Sequence, residues 1–344
     1  MKRSYTYIVL LFIVLLLNSC FKEIDTVPLP RTIDKTFTVQ YPINKIQTFY
    51  RFYENAVIEV DSTEGVSWDL AFESAGAGNR VMLGYASFST ALATGKYDFG
   101  EITQDMILDA IQNSDNWIFS DPTFVNNMDS VALRNWEDGE IYIQNRGVTD
   151  DNYYIFQFVS RDAESYSFRY ASALSLEQVN EATIFRNENF SYLYFSYESQ
   201  STVLVEPLKP EWDIVFTPYR GWWETSIQGE YAPFNMSGVM INNENGVRVA
   251  QIFDAGVDFL DIDSTAVYNY EFIDLKGAIG ANWKVLGSTS ASRVISVNPD
   301  YKYLLSKYDF ETDSEMYFKL QILDYYLEDE AHYPLVEFKF LWSK

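Results

Sequence analysis

The sequence predicts a mostly β protein, built as two tandem antiparallel β domains with few short helices behind a leader segment. Three observations lead there. Aromatic residues make up 17% of the 344-residue chain, with 26 Tyr, 25 Phe and 8 Trp, and such side chains favour pleated, half-buried surfaces. Close to the end of the chain, Val336, Phe338 and Phe340 fall on one side and Glu337 and Lys339 on the other, the period-two alternation of a strand with one buried face. Finally, the chain repeats a set of elements in a fixed order at a long period, the mark of duplicated units, and the units are too long for a solenoid and suit domains.

The leader comes first. Lys2 and Arg3 precede an unbroken apolar run, Ile8 to Leu17. At about ten residues, that run is half of the roughly twenty that cross a bilayer as a helix, so it reads as a secretory signal. Leu17-Asn18-Ser19-Cys20 has the form of a bacterial lipobox, with an apolar residue three places before the cysteine and a small one directly before it. Residues 1–19 are thus expected to be removed and Cys20 to carry the lipid anchor. The alternative is a plain secretory signal with an incidental cysteine. Cys20 is the chain's sole cysteine, so the mature protein holds no intramolecular disulfide. Several acyl chains, each buried CH₂ contributing about 0.8 kcal/mol, give stable anchoring.

Residues 20–35 lack periodicity, contain Pro28 and Pro30, and read as a lipidated tether. Once Lys2 and Arg3 leave with the signal, 23 basic residues face 49 acidic ones, a net charge of −26. That balance excludes nucleic acid and anionic lipid head groups as natural partners, because phosphate attraction needs a basic face.

The repeat begins beyond the tether. Trp68-Asp69-Leu70-Ala71-Phe72 recurs as Trp212-Asp213-Ile214-Val215-Phe216, 144 residues later. An aromatic strand precedes each copy, Thr48 to Tyr53 and Tyr192 to Tyr197, again 144 apart when aligned on their first residues. A short apolar strand follows each, Val81-Met82-Leu83 and Val239-Met240-Ile241, and then an acidic-aromatic element, Asp98 to Ile102 and Asp258 to Ile262. Alternating strands close each unit: Tyr153 to Phe158 with Ser167 to Tyr170, and Met316 to Ile322 with Val336 to Phe340. The units divide as residues 36–175 and 176–344. Alternation places Trp212, Ile214 and Phe216 on one face, with Asp213 turned towards solvent or a turn amide. Thr103 to Ile111 reads as a short helix capped by Thr103, and Leu174 to Val179 as a turn between the units.

This ensemble, an aromatic strand, a polar loop, a Trp-Asp-(Leu/Ile)-(Ala/Val)-Phe strand and Tyr-rich closing hairpins behind a lipobox, resembles the HmuY family of Bacteroidetes lipoproteins. Each half resembles it nearly end to end. The resemblance implies an outer-membrane, surface-exposed lipoprotein that binds haem or another tetrapyrrole and hands it to a TonB-dependent receptor. The family's founding member holds haem iron through two histidines, whereas this chain has one, His332, in an acidic loop. Two-histidine ligation within the chain is therefore impossible. Thioether is also a haem-iron ligand, and Met106 and Met128 occupy the corresponding middle segment of the first unit. The alternative places Met106 in the core under a short helix and Met128 in a loop.

No enzyme motif stands out. A single histidine, placed in a loop, argues against a Ser-His-Asp triad and excludes a multi-histidine zinc site, and no acidic segment has the spacing of an EF-hand. Gly221-Trp222-Trp223 is the most unusual local feature. Two adjacent residues of a strand cannot both face one core, so Trp222 or Trp223 reaches an exposed surface or a contact between the units. The sequence thus leaves three binding readings: haem capture, a surface protein-interaction or structural module, and a glycan-binding accessory that uses Trp222 or Trp223.

Overall fold

The computed structural model describes residues 34–38, 47–54, 56–58, 68–74, 79–124, 133, 139–147, 153–224, 228–286, 295–309, 313–324 and 335–343, and among them alternating apolar side chains form twenty strands, joined by one α-helix. The first repeat contains β1 (Asp34–Thr38), β2 (Thr48–Arg51), β3 (Ala56–Ile58), β4 (Leu70–Glu73), β5 (Val81–Leu83), β6 (Thr90–Ala93), helix α1 (Gln104–Asn113), β7 (Ile141–Asn145), β8 (Tyr153–Arg161) and β9 (Ser165–Ser172). The second contains β10 (Asn180–Phe185), β11 (Tyr192–Ser196), β12 (Ser201–Val203), β13 (Ile214–Glu224), β14 (Tyr231–Ile241), β15 (Val247–Phe253), β16 (Lys284–Leu286), β17 (Ile295–Val297), β18 (Tyr301–Asp309), β19 (Ser314–Asp324) and β20 (Leu335–Ser343). The strand pairings are antiparallel, as the sequence predicts.

Four large sheets form, with strand orders β10-β9-β8-β7-β6, β12-β11-β4-β5, β14-β13-β2-β3 and β1-β20-β19-β18-β15. They stack in that order, because each shares a buried apolar cluster with the next. Leu70, Phe72, Val81 and Phe195 of the second sheet pack with Tyr142, Phe156, Phe168 and Tyr170 of the first. Tyr50, Ile214, Phe216 and Val239 of the third pack with Tyr303, Leu305, Phe318 and Leu320 of the fourth. Between the two four-stranded sheets lie Trp68, Met82 and Tyr194 on one side and Phe49, Trp212, Val215 and Met240 on the other. Successive residues of each inner strand therefore serve two cores, as period-two geometry requires. The outer face of the first sheet is covered by α1 through Ile107. The outer face of the fourth is covered by Phe259 and Ile262, in the segment after β15.

The sheets do not follow the sequence repeats. The aromatic strand β11 of the second repeat pairs with β4, the Trp-Asp strand of the first, and β2 of the first repeat pairs with β13 of the second. Likewise β10 lies beside β9 in the first repeat's five-stranded sheet, and β1 lies beside β20 in the second's. Each repeat thus lends its opening strands to the other, an exchange within one chain that resembles domain swapping between two. The division at 175/176 is a division of the sequence, and every large sheet crosses it.

The register also refines the repeat. Asp69 donates its N–H to the Phe195 carbonyl and Asp213 donates to that of Tyr50, so Phe195 and Tyr50 are equivalent, an offset of 145. The Trp-Asp motifs themselves keep 144. The aromatic strands are therefore one residue out of step with an alignment on Thr48 and Tyr192. A single face is not shared by Trp212, Ile214 and Phe216 either. The ladder starts only at Ile214, so Trp212 packs in the central cluster while Ile214 and Phe216 face the outer one.

Exchange predicts how the chain responds to a cut. With a protease site inserted after Ser175 in the turn between β9 and β10, cleavage should leave both pieces in one complex of unchanged mass on size exclusion with light scattering. Pieces that separate as compact species would contradict the exchanged pairing.

Candidate functional site

Three groups of polar side chains are candidates for chemistry, and the first is the Trp-Asp motif. Asp69 and Asp213 are 1% and 0% exposed, so of solvent and a turn amide Asp213 meets only the second, the N–H of Phe52 in the turn after β2. Asp69 accepts from Arg146 Nε at 2.5 Å and Nη2 at 3.2 Å and from the Tyr197 N–H at 2.7 Å. Asp213 pairs with Lys307 Nζ at 2.5 Å and accepts the Phe52 N–H at 2.7 Å. Tyr197 and Phe52 follow the exchanged strands β11 and β2, so each acid ties a borrowed strand to a cation from the neighbouring five-stranded sheet. Burial pushes both carboxyls above their usual range, and the cation and amide pull them back. Gly147 follows Arg146 with φ +98°, and a Cβ there would lie 1.7 Å from the Ser87 carbonyl oxygen. Only glycine lets the chain turn beside Arg146. These pairs hold strands.

The second group sits in the seam between the four-stranded sheets. Glu206, 2% exposed, accepts from the Ser191 and Tyr192 N–H groups at 2.5 and 2.8 Å and from Tyr194 Oη at 3.1 Å. Burial pushes its carboxyl up to about 7, against the pull of nearby Lys276 and these donors. Lys276 lies 4.8 Å from the centre of the Tyr192 ring, and burial lowers its ammonium.

The third group is open. The Thr103 hydroxyl accepts the Met106 N–H at 3.3 Å and caps α1 as the sequence predicts. Ile107 is the helix residue buried against the outer face of the first sheet, beside Ile141, Ile143 and Ile155. Between α1 and β6–β7 the packing leaves a cleft of about 540 Å³. Its apolar side is Leu92, Ile102, Met106, Ala110 and Ile143. Its polar side carries the exposed residues Asp109, Asn113, Asp115 and Asn116, together with Thr94 and Ser114. Asn113 Nδ2 donates to Asp109 Oδ1 at 2.7 Å.

The sequence-selected residues distribute unevenly. Met106 is half-buried and lines this cleft, while Cys20, Met128 and His332 lie outside the described residues. Adjacent on β13, Trp222 and Trp223 point to opposite faces, as alternation demands. Trp223 packs against the central cluster. Trp222 is 49% exposed and meets Phe119 of the first repeat, ring centres 5.3 Å apart. Asp121 fixes that contact by accepting the Trp222 N–H at 3.3 Å. The segment carrying Phe119 bridges the edge of β6, where Ala91 and Ile118 exchange two 2.8 Å hydrogen bonds. Ile118 packs with the inner cluster, so Trp117 and Phe119 turn to the other face, where Trp117 joins the residues beneath α1. Sequence reasoning missed the polar lining at the end of α1 and the aromatic pair after it, although Asn113 to Phe119 is a compact run of amide, acid and ring.

Two predictions arise from the buried groups. Asp69→Ala or Asp213→Ala should each destabilise the fold by about 3–5 kcal/mol, because a buried cation loses its partner; a urea-melt loss below 1 kcal/mol would refute it. For Glu206 the folded carboxyl is raised from 4.5 to about 7, so its contribution is complete below pH 4.5 and is lost as pH rises through about 7. Relative to Glu206→Gln, the natural protein should lose up to roughly 3 kcal/mol across that window. A stability difference that stays constant with pH would contradict this.

Compared with protein-family models, with curated proteins and with solved structures, the chain finds no match.

Proposed function

We propose that this protein is a lipid-tethered binding protein of HmuY-like build, displayed on the outer membrane, that acts by capture rather than catalysis through the cleft beneath α1. One observation supports this reading above the others. The cleft joins an apolar floor to an exposed rim of carboxylates and carboxamides, the mixture with which binding sites fix an orientation on an apolar base. The buried acids, by contrast, are already occupied in holding strands.

Haem, the ligand that the resemblance implies, does not fit the cleft. Met106 supplies a thioether, yet no histidine, lysine or arginine is among the described residues that line it. The anionic propionates would meet Asp109 and Asp115. A receptor that takes cargo from the tethered protein stays compatible with a different ligand, and the tether, which ends where β1 begins at Asp34, sets its reach.

The anchor and the cleft are tested separately. Cys20→Ala should release the protein from the membrane fraction, and a variant still lipidated would overturn the tether. Ala110→Trp fills the cleft. In a thermal-shift panel of oligosaccharides, oligoamines and hemin, any stabilising ligand should lose at least tenfold in affinity with this variant. A ligand that binds both proteins equally would remove the cleft as the site. Hemin should give no Soret shift dependent on Met106.

A further inference from the structure

We infer that the ligand of this cleft is a neutral glycan chain, held by the rim of α1 at one end and by the Phe119–Trp222 pair at the other. This rests on the reading that the cleft is the binding site, and it names the ligand class. Three features of the surface carry it.

The rim comes first. Asp109, Asp115, Asn113 and Asn116 are exposed beside an apolar floor. Carboxylates accept two hydrogen bonds readily, and carboxamides donate and accept. Vicinal hydroxyls answer both demands, whereas an anion would be repelled and a purely apolar ligand would leave the rim to water and gain nothing from it.

Next, the chain that lines the cleft runs on to an aromatic pair. Asn116 lines it, and three extended residues, spanning roughly 10 Å, lead to Phe119. Trp117 packs with Tyr153 at a ring separation of 6.2 Å and a 51° tilt. Phe119 and Trp222 follow at 5.3 Å and 47°, with the Arg220 guanidinium 5.4 Å from the Phe119 ring centre. An aromatic face offers the C–H faces of a sugar ring a flat apolar partner, and its edge leaves hydroxyls in water. A rim for hydroxyls and an exposed ring beyond it suit a chain of sugars better than a single small molecule.

Third, the aromatic end is held in place. Asp121, buried, accepts the Trp222 N–H and also Thr123 N–H at 3.0 Å and Oγ1 at 2.5 Å. The segment bearing Phe119 is pinned to β6 by the bridge at Ile118. Trp222 belongs to the second repeat and the cleft to the first, so the surface exists only because the repeats are interleaved. Such pre-positioning lowers the ordering cost of binding.

Affinity electrophoresis of the mature protein in native gels cast with glucomannan, xyloglucan, dextran or mannan tests this. At least one polysaccharide should retard the natural protein, and the retardation should persist at about 1 M salt, where charge attraction is screened within about 3 Å. Trp222→Ala and Asp115→Ala, both at exposed positions, should each weaken retention about five- to tenfold, and Ala110→Trp should abolish it. Retardation by none of the four, or retardation indifferent to Trp222→Ala and Asp115→Ala, overturns the glycan. Oligolysine bound at low salt only, lost in Ala110→Trp and unaccompanied by polysaccharide binding, also overturns it while leaving the cleft as the site. Polysaccharide binding indifferent to Ala110→Trp removes the cleft itself.

Discussion

The fold depends on one interaction used twice: a buried aspartate that holds a backbone amide of a borrowed strand and a cation of the next sheet. Asp69 does this with Tyr197 and Arg146, and Asp213 with Phe52 and Lys307. A buried ion pair adds little net stability over an apolar alternative, but it is costly to break. Each acid therefore penalises any arrangement in which the opening strand of the other repeat is absent. The aromatic packing agrees with this register. Trp68 meets Tyr194 at 4.8 Å and Trp212 meets Phe49 at 5.0 Å, again across the repeats with an offset of 145 between the partners.

Interleaving explains the layering. Because β4 and β13 are central in their sheets and buried on both faces, their alternate residues feed different cores, and the Trp-Asp motif marks the place where one core hands over to the next. The two outermost faces are left to the long segments after β6 and β15. The first repeat covers its face with an α-helix, and the second with turns carrying Phe259 and Ile262. Of these two otherwise equivalent faces, the helical one carries the described cleft.

The acidity of the chain takes on a local meaning at this cleft. A net charge of −24 over the full sequence discourages anionic partners generally, and the rim of Asp109 and Asp115 repeats that preference at the site. Cations are instead drawn inward. Lys302 and Lys319 donate to backbone carbonyls of Asp254, Phe259 and Ile262, satisfying loop oxygens that no strand reaches. Basic side chains here serve the fold, and the exposed polar rim is left to carboxylates and amides.

Much was legible in the sequence because it depends on local pattern. Period-two alternation marked β8, β9, β19 and β20. The Thr103 cap and apolar spacing marked α1, and adjacency alone required Trp222 and Trp223 to part. The repeat itself was visible as recurring aromatic strands and Trp-Asp motifs. What the pattern could not encode was partnership. An antiparallel strand with an apolar face fits the neighbouring strand of either repeat equally well, since side-chain period says which face is buried and not against what. Tertiary structure alone decided the exchange, the one-residue shift of the aromatic strands, and the burial of Asp213, whose cation lies 94 positions away at Lys307. It also decided the meeting of Phe119 with Trp222. That contact joins residues of different repeats, and only the closing of the sheets brings them within reach.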